Sequence, residues 1–120
     1  ERLLAHARKK NPDKVFIQGS VRDELKHVEA QHVCAFGFMK HFRLHEWQAV
    51  FSTLAAKAKE TLTIEAPIVD GEDWEDLRHD FPHTFVTRDR VHRLAIAHGF
   101  KVEDEIPNRS GEMIYRLRRA

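Results

Sequence analysis

The stretch that most limits what this chain can become runs from Thr87 to Phe100, because both ends of a helix are written into it. The Thr87 hydroxyl can accept from an amide of the first helical turn, where no partner exists inside the helix. Gly99 can take the left-handed conformation that closes a helix, and Phe100 beyond it can fold back onto Leu94 or Ala95. Between these signals Val91, Leu94 and Ala95 recur at helical spacing, so one stripe should face a core.

The polar chemistry lies beside that stripe. Arg88 and His92 are four residues apart and stack on one side of the helix, with Ile96 continuing the row. Arg88 sits in the first turn, where the helix dipole disfavours a cation, so its side chain must find an anion elsewhere. The pair is preceded by Asp80-Phe81-Pro82 and followed by Leu94-Ala95, Gly99-Phe100, an Asn108-Arg109 turn and a basic strand from Glu112 to Arg118. Taken together this pattern resembles the R-3-H domain, a family named for its arginine and histidine and associated with binding single-stranded DNA or RNA. The likeness covers the chain from Asp80 onward.

The resemblance implies a non-catalytic module that binds single-stranded nucleic acid and belongs to a larger RNA-metabolism or transcription-related protein. Arg88 and His92 would carry the contact. A guanidinium matches phosphate geometry and stacks on bases, and an imidazole can do either and gains charge as pH falls. Arg90, Arg93 and Arg116 would add electrostatic support, as would Lys101, Arg109 and Arg118. Tyr115 could stack on a base or pack in the core; basic groups interleaved with flat side chains make a single-strand platform. No cofactor and no metal is implied, and the module would act as a monomer attached to other domains.

Charge distribution agrees with a basic surface. The net charge is only +1, but the acids gather between Glu60 and Asp80, and arginines dominate from Phe81 onward. Cys34 is alone, so no internal disulfide can form and a reducing compartment is the simpler reading. The apolar run from Val33 to Met39 is too short to span a bilayer. The chain opens at Glu1 rather than methionine, as a fragment of a longer protein would, and nucleus or cytoplasm both fit.

Upstream, Glu1 to Lys10 reads as a short helix ended by Asn11-Pro12. Val15 to Ile17 reads as extended. Ser20 and Asp23 form a capping pattern for an amphipathic helix over residues 21 to 33. Leu44, Trp47, Val50, Phe51, Leu54, Ala55 and Ala58 trace a second strong helix over about 44 to 60, with Trp47 in the core. Thr61 to Ile68 alternates as a strand. R-3-H members place a strand ending in Phe-Pro directly before the central helix; both Thr61 to Ile68 and Leu77 to Phe81 qualify, which implies an insertion. Lys101 to Ile106 and Glu112 to Arg118 should pair as a hairpin, with Met113, Tyr115 and Leu117 on one face.

The expected fold is therefore α+β: a small antiparallel three-stranded sheet packed on two helices over residues 44 to 120, with a mostly helical extension over 1 to 43. Other constellations read more plainly. His32, Cys34, His41 and His45 are metal-ligand types without zinc-finger spacing. Asp73, Glu75, Asp76 and Asp80 read as a solvated acidic loop, with contact to the basic face as an option. No serine or cysteine nucleophile sits in a telling context and no Gly-rich phosphate loop is present, so enzymatic activity is not expected. The alternative function is a protein-interaction module using the acidic loop or the N-terminal helices.

Overall fold

The computed structural model describes residues 2–13 and 28–120. An N-terminal helix, α1, spans Arg2–Lys10 and buries none of its side chains. The extended piece expected at 15 to 17 and the capping pattern at 20 to 23 lie outside the described residues. The helix expected through residue 33 is not what forms at its C-terminal end. Ala30–Ala35 is a strand, β1, parallel to β2 at Ala58–Ala66.

A parallel pair needs a long crossover, usually helical. Here it is a 3-10 turn at Met39–His41 followed by α2, Leu44–Lys57. After β2 a small hairpin, β3 (Trp74–Asp76) and β4 (His83–Phe85), leads into α3, Arg88–Ala97. The chain ends in β5, Phe100–Pro107, and β6, Met113–Arg119. The last strand inserts antiparallel between β2 and β5, so the main sheet has the order β1-β2-β6-β5.

The expected three-stranded antiparallel sheet is thus replaced by a mixed four-stranded sheet and a separate two-stranded one. Period-2 reading located β2, β5 and β6 but could not distinguish a parallel neighbour from none. Of the two candidate strands before the central helix, the earlier stretch is the sheet strand. Leu77 to Phe81 is the irregular connection between β3 and β4.

Register explains the core. Val33, Leu62, Leu117 and Val102 align across the sheet, as do Ala35, Ile64 and Tyr115, so one face is apolar. Trp47, Val50, Phe51 and Leu54 of α2 and Val91, Leu94 and Ala95 of α3 join that face in a single buried cluster. The opposite face is polar, with Thr63, Arg116 and Asp104 in one aligned row.

The helix ends are closed by long-range partners. Thr87 caps α3, its hydroxyl accepting from the Arg90 amide, and Gly99 turns the chain at φ 81°. At the opposite edge Arg119 donates to the carbonyls of Ala55 (2.5 Å) and Ala58 (3.1 Å) at the end of α2. It also donates to that of His98 (2.8 Å) at the end of α3. Its guanidinium also lies 4.1 Å from the centre of the Phe100 ring. A cation at a helix C-terminus answers both the dipole and the orphan carbonyls.

Arg119→Met should therefore lower the unfolding free energy by about 2–4 kcal/mol, because three carbonyls lose a charged donor. Arg119→Lys should recover only part of it, since an ammonium lacks the planar fork. Urea unfolding monitored by Trp47 fluorescence measures both; an unaltered midpoint in the Met variant would show that the contact carries no net energy.

Candidate functional site

α3 does present Arg88 and His92 one turn apart, but both are held by a carboxylate of β5. Arg88 donates from Nε to Glu105 Oε2 at 2.9 Å and from its terminal nitrogen to Oε1 at 2.8 Å. His92 Nε2 bonds the same Oε1. Arg88 chiefly, with His92 adding to it, holds the Glu105 carboxyl below the usual carboxylate range against the opposing effect of burial.

The supporting cations are similarly engaged. Arg90 binds Asp73 at 2.6 Å, and Arg93 binds Asp89 at 2.8 Å. Arg116 pairs with Glu103 and Asp104, and Arg118 with Glu103. Lys101 and Arg109 are exposed. Tyr115 is fully buried with its ring edge-on to His92, and burial pushes its phenol up to about 12. The cations of the C-terminal half are therefore largely paired, Arg88 and His92 to Glu105 on β5, Arg90 to Asp73, Arg93 within α3, and Arg116 and Arg118 to the acids of β5.

The acidic segment is not a solvated loop. Asp73 accepts from the Thr87 amide (2.7 Å) as well as from Arg90. Glu75 accepts from the Leu44 amide (2.8 Å) and from Arg43 (2.9 Å). Each carboxylate thus sits at a helix start, Asp73 on α3 and Glu75 on α2, where the dipole favours an anion. Arg43 holds the Glu75 carboxyl below its ordinary range. Arg78, donating from its side chain and amide, holds that of Asp76 lower still.

In an open α/β sheet, ligands bind outside the carboxyl ends of the parallel strands. Here that rim is built from the 36–43 loop after β1, the 67–87 segment after β2 and the 108–112 turn after β5. Glu65 ties it together, accepting from the Gly37 amide at 2.8 Å and from the Asn108 side chain. Asn108 in turn accepts from the amides of Ser110 and Glu112.

A cavity of about 310 Å3 opens on this rim. Pro67, Ile68, Val69 and Phe85 give it apolar walls, and the 110–111 turn closes one side. Its polar side chains are Lys40, His83, Ser110 and Glu112. Lys40 and Glu112 form an ion pair at 2.9 Å, while Glu112 Oε1 is buried with no hydrogen-bond partner among the described residues. His83 packs against the rings of His41 (5.5 Å) and His79 (4.9 Å), and its nitrogens have no hydrogen-bond partner among the described residues. A larger depression of about 460 Å3 lies over the start of α3, but its Asp73 and Arg90 already satisfy each other.

Sequence reasoning did not single out Lys40, His83 or Glu112. They come from three separate segments, and only the strand order brings them together. His41 and Cys34, weighed as metal-ligand types, lie apart in role: His41 bonds the Pro82 carbonyl and Cys34 is exposed on β1. Among the described residues no group of three or more His, Cys, Asp or Glu is arranged to hold a metal, and no helix is long and apolar enough to cross a membrane.

No family model and no curated protein sequence matches the chain. Solved structures do, across nearly its whole length. The fold is similar to that of 1,6-didemethyltoxoflavin-N1-methyltransferase from Burkholderia thailandensis, with a TM-score of 0.79 at 15% identity over 97% of this chain and 56% of that one. Magnesium protoporphyrin IX methyltransferase from Synechocystis PCC 6803 gives 0.73 at 14% identity, over 100% of this chain and 56% of that one. DesVI of Streptomyces venezuelae gives 0.70 at 20%, over 100% and 71%. The chain thus has a methyltransferase-like α/β fold and spans about half the length of the first two.

This corrects the R-3-H resemblance. The helix with its Arg-x-x-x-His pair is real, but it leads from the small β3-β4 hairpin into β5, the edge strand of a mixed four-stranded sheet in a methyltransferase-like fold. The single-stranded nucleic-acid module and its RNA or DNA partner are set aside with the family that implied them. The protein-interaction alternative, using the acidic loop or the N-terminal helices, is not favoured either.

The Glu105 cluster makes a pH-dependent prediction. A carboxyl whose folded pKa is depressed stabilises the protein above its unfolded value, and that contribution disappears as pH falls through the folded one. Glu105→Gln should cost about 1–3 kcal/mol at pH 7, and the gap to the wild type should narrow well below about pH 4, where unfolded carboxyls are protonated. Urea midpoints at pH 7 and pH 3 test this; an equal loss at both would assign Glu105 a packing role instead.

Proposed function

We propose that this chain forms the acceptor-binding half of a methyl-transfer enzyme of the SAM-dependent type. One observation carries the reading. The β1-α2-β2 crossover, with β6 inserted between β2 and β5, is shared along the whole chain with methyltransferases, and a mixed polar and apolar cavity opens at the rim where such a sheet holds ligands. The fold alone would not carry it, because one fold hosts many functions.

SAM, when bound, supplies an electrophilic methyl group. The described residues fit only one flank of a site for it. The five glycines are dispersed along the sequence, so no Gly-x-Gly-x-x-Gly turn can form to cradle a nucleoside-bearing cofactor. β1 pairs on one side only among the described residues. Further strands on the open side of β1 would be needed to complete a donor site.

The acceptor side is better supplied. The apolar walls exclude water from a bound acceptor, and the Lys40 ammonium, held by Glu112 through one of its three donors, can orient it with another. His83 lines the cavity, its ring nitrogens without a hydrogen-bond partner among the described residues, in position to take the proton that an O–H or N–H acceptor gives up. A general base of this kind contributes roughly 100-fold or more to rate.

The complete gene product carrying these residues should bind S-adenosylhomocysteine in calorimetry and transfer label from methyl-tritiated SAM to a small acceptor. His83→Ala should lower kcat at least tenfold with little change in thermal midpoint. Absence of any SAM or S-adenosylhomocysteine binding by the complete product would remove the proposal.

A further inference from the structure

The charges of the rim cavity distinguish which acceptor atom it serves, and this step rests on the reading above. Among the described residues that line it, Lys40 is the one full cation and Glu112 the one carboxylate. They differ in what they offer a ligand. Glu112 Oε2 is taken by Lys40 at 2.9 Å, and Oε1 is shut off from solvent and so from any ligand. Lys40 has three ammonium donors and uses one on Glu112, and its side chain is 24% exposed. The cavity therefore shows a ligand the donors of Lys40 and hides the oxygens of Glu112.

Charge balance then separates oxygen from nitrogen. Lys40 and Glu112 cancel, so the pair leaves the cavity neutral. In a volume of about 310 Å3 no ligand atom lies far from either Lys40 or His83. When a hydroxyl gives its proton to a ring nitrogen of His83, the O–H bond breaks, an N–H bond forms and the bonding pair stays on oxygen. The oxyanion and the imidazolium together add no net charge, and the Lys40 ammonium is placed to hold the new anion.

A neutral amine takes the opposite course. Its nitrogen turns cationic as a methyl group joins it, before its proton leaves, and that charge would face an ammonium. Between apolar walls such repulsion is much stronger than in water. Other ionised groups do not reverse this. Asp76 stands opposite His83 across β3 and β4, but Arg78 holds both its oxygens. The rings of His41 and His79, which flank His83, carry no negative charge. Acidity narrows the hydroxyl further. A phenol or enol, close to a tyrosine side chain at about 10, can be ionised by an imidazole beside an ammonium, whereas an alkanol is far too weak an acid.

We propose that the acceptor is a small phenol or enol that reacts as its oxyanion against Lys40. His83 takes the proton, Lys40 donates to the oxygen, and Glu112 is a positioning residue that holds the ammonium at the cavity wall. The same ammonium selects against amine acceptors.

The test reads ionisation directly. It uses para-nitrophenol, titrated into the complete gene product about one pH unit below the probe's own pKa, where the free probe is largely protonated. Only the phenolate is yellow, so absorbance reports the bound form. On binding to the wild type its apparent pKa should fall by at least about one unit, the usual effect of an adjacent opposite charge. Backbone chemical shifts should move at Lys40, Ile68 and Phe85. Lys40→Arg should keep the ionisation, and Lys40→Met should return it to that of the free probe. Because Lys40→Met leaves Glu112 buried without a counter-charge, Lys40→Met combined with Glu112→Gln serves as a second variant and should behave alike. Trimethylanilinium, a permanent cation of similar size, should bind at least tenfold more weakly than para-nitrophenol.

Failure of para-nitrophenol to bind, a bound probe that stays protonated, shifts located elsewhere, ionisation unchanged in the double variant, or tighter binding of trimethylanilinium would each overturn the proposal. If the probe ionises as expected but the complete product never binds S-adenosylhomocysteine, the oxyanion site stands and the methyl-transfer reading falls. If methyl groups are transferred while the bound probe stays protonated, this inference falls alone.

Discussion

The two crossover helices are fixed at both ends by charges from elsewhere in the chain, and Arg119 is the group on which most of this converges. One guanidinium takes three carbonyls from the ends of α2 and α3 and lies over Phe100. At the other ends, Glu75 and Asp73 accept from first-turn amides. Anions at the starts and a cation at the finishes follow the direction of the helix dipoles. The result is that α2 and α3 cannot slide over the apolar face of the sheet without breaking charged hydrogen bonds at one end. Rigid helices in turn hold the loops of the carboxyl rim at fixed spacing.

Much of the local structure was legible in the residues. Thr87 and Gly99 marked α3 because capping is short-range chemistry, and the structure places both as expected, with Phe100 buried just beyond them. The apolar stripe of α2 and the alternation of β2 and β6 were equally plain, since burial on one face imposes a period. Trp47 is fully buried, as its position on that stripe required. β1 was misread because Val33 and Ala35 alternate with His32 and Cys34 over only a few residues, and a short apolar run fits helix or strand alike.

The arrangement of those elements was not legible, and function went with it. A one-turn spacing of Arg88 and His92 says which side of a helix they share, not what faces them. That was decided by Glu105, seventeen and thirteen residues away on β5. The acidic and basic segments looked like two opposed surfaces, but most of their charges are paired close to home, with Asp73–Arg90 joining the two segments. Lys40, His83 and Glu112 carried no pattern, because a cavity assembled from three loops depends on strand order, which periodicity does not encode.

Among the described residues β1 pairs on one side only, which has a consequence for handling the molecule. Along Ala30–Ala35 alternate backbone amides and carbonyls point away from β2, and the strand carries no proline and no charged side chain to discourage a newcomer. Natural sheets protect such margins with lysine, proline or a bulge, and of these β1 has only the register irregularity between Ala30 and His32. Beside it, Phe36 stands 55% exposed next to an apolar groove that includes Val33 and Leu54. Expressed as it stands, the chain would tend to self-associate through this margin, and its solubility would report how well that margin is covered.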